Sequence, residues 1–276
     1  MYKKFFLWLQ IIATKNIDIN ILLYKKIKDY FNQDIYFLYD KQCLLEKALK
    51  KLKISQSIID IFLDKNIKRN IDFIYNKIKV SQLEIITIED WQFPQKIINH
   101  NSNMFCYITN FKINLNNKNI YLYFNDYYTK FARNLAEYFA KIINQENVNL
   151  ITEYENKSIN KIEILSLKSI KFDYYNKLDK CYIFLLDDKY INKFKLMLCD
   201  IFIIIEARYE EKIVKTVNYL VENSKDIYVV PSNIFRKNSY FSNYLIKQGA
   251  DIILNKNDLK FILSKIICWQ FFWFII

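Results

Sequence analysis

Val229-Val230-Pro231-Ser232-Asn233-Ile234-Phe235, followed by Ser239-Tyr240-Phe241-Ser242-Asn243-Tyr244-Leu245-Ile246-Lys247-Gln248-Gly249-Ala250, is the stretch that decides the fold. Residues 227–230 are apolar and rich in β-formers, and read as a strand. Residues 240–248 place apolar side chains three and four apart, and read as a helix. Residues 252–254 give one more short strand. A strand–helix–strand unit of this length belongs to a parallel sheet.

Outward from that unit the same alternation continues. Residues 201–206, Ile-Phe-Ile-Ile-Ile-Glu, form a strand whose unbroken apolar run calls for burial on both faces. A helix over 214–223 follows. Upstream come strands at 120–124, 148–151, 162–165 and 182–186. A helix spans 128–144, with Phe131, Leu135, Tyr138, Phe139 and Ile142 on one face. The expected fold is therefore α/β, a Rossmann-like, mostly parallel sheet with helices on both faces. Ligands in such sheets bind at the C-terminal ends of the strands. Residues 83–88 and 104–108 are two shorter strands, separated by the break Glu89-Asp90-Trp91-Gln92-Phe93-Pro94. Before them the chain is helical, over 7–12, 19–31, 42–52, 55–63 and 68–78, with Asp18, Asp40 and Ser55 as candidate caps. The expected division is a helical region 1–80, a Rossmann domain 81–262 and an apolar tail 263–276.

The 276 residues are 52% apolar, enough for a proper core. One Gly, two Pro, and much Lys, Ile and Asn are what an AT-rich genome favours in its codons. The net charge of +12 attracts nucleic acid or anionic lipid, although the same codon bias raises Lys everywhere. Cys43, Cys106, Cys181, Cys199 and Cys268 form no CxxC pair, and His100 is the single histidine, so no zinc spacing exists. Scattered thiols fit a reducing cytosol. One glycine cannot build a Walker loop, a GxGxxG turn or a nucleophile elbow. No catalytic residue, cofactor or metal site is expected, and Asp187-Asp188 and Glu210-Glu211 read as solvated loop acids. The apolar run near the N-terminus reads as a first core helix rather than a signal peptide. The apolar end is too short to span a bilayer, which needs about 20 residues.

Several segments in order resemble the DprA/Smf family of DNA-processing proteins. Ile85-Ile86-Thr87-Ile88-Glu89-Asp90-Trp91-Gln92-Phe93-Pro94 is similar to its lead-in strand and acidic turn. Residues 202–207 are similar to its apolar strand ending in Val-Val-Glu-Ala. Residues 229–235 and 239–250 are similar to its Ala-Val-Pro-Gly-x-Ile and Gly-x-Asn-x-Leu-Ile-x-x-Gly-Ala motifs, and the chain's one glycine falls on a family glycine. The departures are as specific. Phe124-Asn125-Asp126 stands where the family has Gly-Ser-Arg. Residues 152–160, with Glu153 and Glu155, replace a glycine-bearing turn, and Glu210-Glu211 replaces Ser-Gly. These carboxylates are expected to repel a phosphate chain, and lost glycines deny it close approach to backbone N–H groups.

The resemblance implies a cytoplasmic, non-enzymatic protein that binds single-stranded DNA, works as a homodimer and has the recombinase RecA as a partner in recombination or DNA uptake. Single strands are held by cations and stacking rings. The candidates at the expected strand ends are Asn192, Lys193, Lys195, Arg236, Lys237, Asn243 and Lys130, with Tyr127, Tyr128 and Tyr240 as rings. Asn243 reads first as a brace for its turn. The alternative is a degenerate family member acting as a structural or interaction protein without DNA.

Overall fold

The computed structural model describes residues 2–32, 34–100, 102–110, 113–126, 128–152, 161–167 and 181–272, with side chains to 265. It has a Rossmann-like α/β fold and divides into two compact units, Met1–Asn116 with Ile164–Met197, and Asn117–Glu163 with Leu198–Ile276.

The first unit is built around α1 (Tyr2–Ala13), which is apolar on nearly every side and buried along its length. Around it lie α2 (Ile21–Phe31), α3 (Gln42–Lys51), α4 (Gln56–Leu63) and α5 (Lys65–Val80). Phe6, Leu7, Trp8, Ile12, Leu38, Leu49, Phe62 and Ile71 are the centre of this core. The short antiparallel ladder of β1 (Glu84–Thr87) and β2 (Cys106–Thr109) packs on it, and β6 (Cys181–Leu185) pairs with β2. Between β1 and β2 runs α6 (Gln95–Asn99), and after β6 comes α8 (Ile191–Leu198). Among the polar side chains buried there is that of Gln10. Gln10 accepts from the N–H groups of Phe105 (2.6 Å) and Cys106 (3.2 Å) and donates to the Asn103 carbonyl (3.2 Å). It ties α1 to the backbone entering β2. Asp90 closes the acidic turn by accepting from the Thr87 N–H and hydroxyl. Tyr24 donates to Glu89, which also pairs with Lys28 at 2.8 Å. Burial, then the Glu89 carboxylate, pushes the Tyr24 phenol far above its ordinary range.

The second unit is a parallel sheet. β3 (Asn119–Phe124) pairs with β4 (Asn149–Thr152) on one side and β7 (Ile201–Glu206) on the other. Beyond β7 lie β8 (Asp226–Val229) and β9 (Asp251–Ile252), and Ile162 of β5 (Ile162–Ser166) pairs with Ile151. α7 (Lys130–Ile143), α9 (Glu211–Glu222), α10 (Tyr240–Lys247) and α11 (Lys256–Phe272) complete it. Every residue of β7 is buried, as its continuous apolar run requires. Ile201, Ile203 and Ile205 face a core formed with α7 and α11, while Phe202 meets Tyr121 and Tyr123.

Some local expectations change. The buried face of α7 is Ala132, Ala136, Phe139, Ala140, Ile142 and Ile143, whereas Phe131 and Tyr138 are exposed. Small side chains let this helix approach the sheet closely. Asn20, not Asp18, caps α2 by accepting from the Leu23 N–H. Ser55 occupies the cap position of α4 without a side-chain hydrogen bond, and Asp64 caps α5. The first part of the expected tail is the C-terminal half of α11, and residues 273–276 lie outside the described residues. Cys106, Cys181 and Cys199 are buried and Cys43 is exposed. Burial pushes the Cys181 thiol up to about 12.

Four helices end in one pattern. After α3, α5, α9 and α10, the residues Lys53, Gln82, Ser224 and Gly249 take positive φ, and the next residue donates back to a carbonyl five positions earlier. This is the six-to-one closure of a Schellman stop.

Candidate nucleic-acid interface

In the second unit the chain runs from β3 outward to β4, then returns to β7 and proceeds through β8 to β9 on the other side. The switch point lies between the C-terminal ends of β3 and β7, where such sheets open a crevice. Here protein fills it. Asn125 donates from its N–H to the Glu206 carbonyl (3.1 Å) and from Nδ2 to the Asn238 carbonyl (2.9 Å), while Oδ1 accepts from the Arg208 N–H (2.8 Å). Glu206 is 1% exposed. Its carboxylate accepts from the N–H and the hydroxyl of Thr129, both at 3.1 Å, and from the Ser239 hydroxyl at 3.5 Å. Thr129 is the cap of α7. A negative charge therefore already occupies the positive end of that helix, the place where a nucleotide phosphate would sit.

The open concavity lies one strand further along. It has a volume of about 430 Å³ and is lined by Arg208 and Tyr209 after β7, and by Ile234, Phe235, Arg236, Lys237 and Tyr240 between β8 and α10. The loop that makes its wall is fixed by short-range hydrogen bonds. Asn233 Oδ1 accepts from the Phe235 N–H at 2.9 Å, and the Asn233 carbonyl from the Arg236 N–H at 3.1 Å. Tyr209 stands edge-on to Phe241 with ring centroids 5.4 Å apart. Three rings face water: Phe235 is 88% exposed, and Tyr209 and Tyr240 63% each. Rings this exposed, clustered in one concavity, are the signature of a contact surface rather than of core packing. No carboxylate lines the groove, and none among the described residues pairs with its three cations. Glu211, nearby in sequence, pairs instead with Lys215 at 2.5 Å. The groove thus keeps a net positive field.

Of the expected residues, the structure brings Arg236, Lys237 and Tyr240 together in this groove. Asn243 is a brace. Its Oδ1 accepts from the Ser232 N–H (3.1 Å) and its Nδ2 donates to the Ser232 carbonyl (2.9 Å), which pins the start of the loop to α10. An Asn243→Ala chain is expected to lose about 1–2 kcal/mol of stability in urea melts, with the salt dependence of any nucleic-acid binding unchanged. A lower salt slope would make Asn243 a contact instead. Lys130 is exposed in the first turn of α7 and does not line the groove. Asn192 and Lys193 are exposed on α8, and Lys195 half-buried there, in the first unit. Tyr128 packs edge-on against Phe124. Tyr127, Glu153 and Glu155 lie outside the described residues. Arg208, Tyr209 and Phe235 were not among the expected residues. Among the described residues no group of three His, Cys, Asp or Glu is placed to hold a metal, and no helix is long and apolar enough to cross a membrane.

No family model matches the sequence, and no curated protein matches it. Solved structures do match the fold. DNA processing protein A from Streptococcus pneumoniae superposes with a TM-score of 0.54 at 14% identity, over 79% of this chain and 91% of that one. DNA processing protein A from Helicobacter pylori, whose structure gave insight into a unique single-stranded DNA binding mode of that protein, superposes with a TM-score of 0.54 at 13% identity, over 67% of this chain and 98% of that one. A likeness that covers two thirds or more of this chain and nine tenths or more of each of those at so low an identity is a likeness of architecture: this chain has the fold of the DprA proteins.

Proposed function

We propose that this chain is a DprA-type protein that binds single-stranded DNA without chemical turnover. One observation carries the reading: a groove at the strand ends is lined by three cations with no carboxylate partner among the described residues and by three exposed rings. Cations meet phosphates, and rings stack on unpaired bases, which a duplex does not offer. The finer role follows the family resemblance: a homodimer that supports RecA-dependent recombination or DNA uptake in the cytoplasm.

The test is a titration of a labelled, unstructured oligonucleotide at two salt concentrations. With three phosphate contacts, log K is expected to fall against log salt with a slope of about −2. A duplex of the same sequence is expected to bind more weakly. Absence of binding at low salt would leave the second reading, a structural or interaction protein.

A further inference from the structure

We infer that Arg208 is the fixed phosphate clamp of the groove, and that Asn238 and Asn125 are the residues that position it. This inference rests on the proposed single-strand binding.

Three hydrogen bonds form a closed ring. Asn125 Oδ1 accepts from the Arg208 N–H at 2.8 Å. Arg208 Nε donates to Asn238 Oδ1 at 2.6 Å. The Asn238 carbonyl accepts from Asn125 Nδ2 at 2.9 Å. The ring is anchored below, because Asn125 is 4% exposed and its own N–H is bonded to the Glu206 carbonyl. Both ends of the Arg208 side chain are therefore set, at its backbone and at Nε. Its two terminal nitrogens make no hydrogen bond with any described residue, and the side chain lines the groove. A guanidinium held by one nitrogen while the remaining donors stay open is prepared for two parallel bonds to one phosphate. Arg236 and Lys237 differ. They are exposed, without side-chain partners among the described residues, and each must be immobilised by the ligand itself.

The neighbouring turn explains why a clamp is needed here. After β3 the chain presents Asp126, which is exposed, and the N-terminal end of α7 is satisfied by Glu206. Neither can hold an anion. Arg208 follows the adjacent strand directly and is the cation held in place at this edge of the sheet.

The experiment compares single-strand binding and its salt slope in the intact chain and in Arg208→Gln, Arg208→Lys, Arg236→Gln and Asn238→Ala, each checked by thermal melting. Gln at 208 keeps a donor for Asn238 and removes the charge. It is expected to reduce the slope by about 0.7 and the affinity about tenfold, more than Arg236→Gln does. Lys at 208 is expected to restore the slope but not the affinity, since one ammonium cannot both bond Asn238 and grip a phosphate with two parallel donors. Asn238→Ala is expected to keep slope and melting temperature while binding several-fold more weakly. The inference is overturned, with single-strand binding intact, if Arg208→Gln binds as the unaltered chain does, or if Arg208→Lys is as tight as arginine. A chain that binds no oligonucleotide at low salt overturns both this inference and the reading beneath it.

Discussion

A chain carrying Arg236→Glu together with Lys237→Glu is expected to bind a single-stranded oligonucleotide at least about a hundredfold more weakly at low salt, and to lose most of its salt dependence. Both side chains are exposed and hold no partner among the described residues, so the change costs little stability, about 0.5 kcal/mol or less. The effect on binding is large because each reversal both removes an attraction and adds a repulsion. At a few ångströms and the dielectric of a protein surface, each of these terms is worth about 1 kcal/mol or more. One cation, Arg208, would remain beside two carboxylates. Fluorescence anisotropy at two salt concentrations, with melting as a control, reads the outcome. A double variant that binds within about threefold of the unaltered chain removes the groove from consideration.

The largest effect on stability is expected from Gln10→Leu. The substitution nearly conserves volume, so packing alone predicts little change. What it removes is the acceptor for the Phe105 N–H, one acceptor for the Cys106 N–H and the donor for the Asn103 carbonyl, all in an interior where water cannot replace them. Buried backbone groups left in this state cost about 1–3 kcal/mol each, and the sum here is about 3 kcal/mol. For a unit of this size that lowers the melting temperature by about 6–12 °C. A urea melt followed by near-ultraviolet circular dichroism checks it, and a loss below about 1 kcal/mol would show that Gln10 is carried by the helix rather than tying it down.

The strand–helix alternation was legible because its strongest members need no context. The run Ile201–Glu206 can only be a doubly buried strand, and the observed element has those bounds. α6 and α8 were not legible: α6, with five residues, is too short to show helical periodicity, and α8 owes its place to Phe194, Met197 and Leu198, which are buried. Ser55 holds its expected cap position, whereas Asp18 and Asp40 fall two residues and one residue before the caps of α2 and α3. Asp18 and Asn20 are both competent, and only the packed entry angle of α2 selects Asn20. At the site, Arg236 and Lys237 were legible as cations in a turn. Arg208 and Tyr209 carried an unused signal, since they follow directly on a central strand, at the edge where parallel sheets bind ligands. Glu206 was legible as a strand end but not as an internal anion, because that role exists only once Thr129 and Ser239 have been folded around it.

The four helix stops bear on why a chain so poor in glycine keeps one. Lys53, Gln82 and Ser224 sit at φ 57°, 53° and 52°, close to the centre of the left-handed basin, where an L-residue pays about 1 kcal/mol. Gly249 sits at 96°, beyond that basin. Nothing lies within 4 Å of the position a Cβ would take there, so crowding does not protect it. Of these four stops, the one whose torsion strains an L side chain is the one that carries glycine. In this chain the single glycine serves a limit of backbone geometry at the end of a helix.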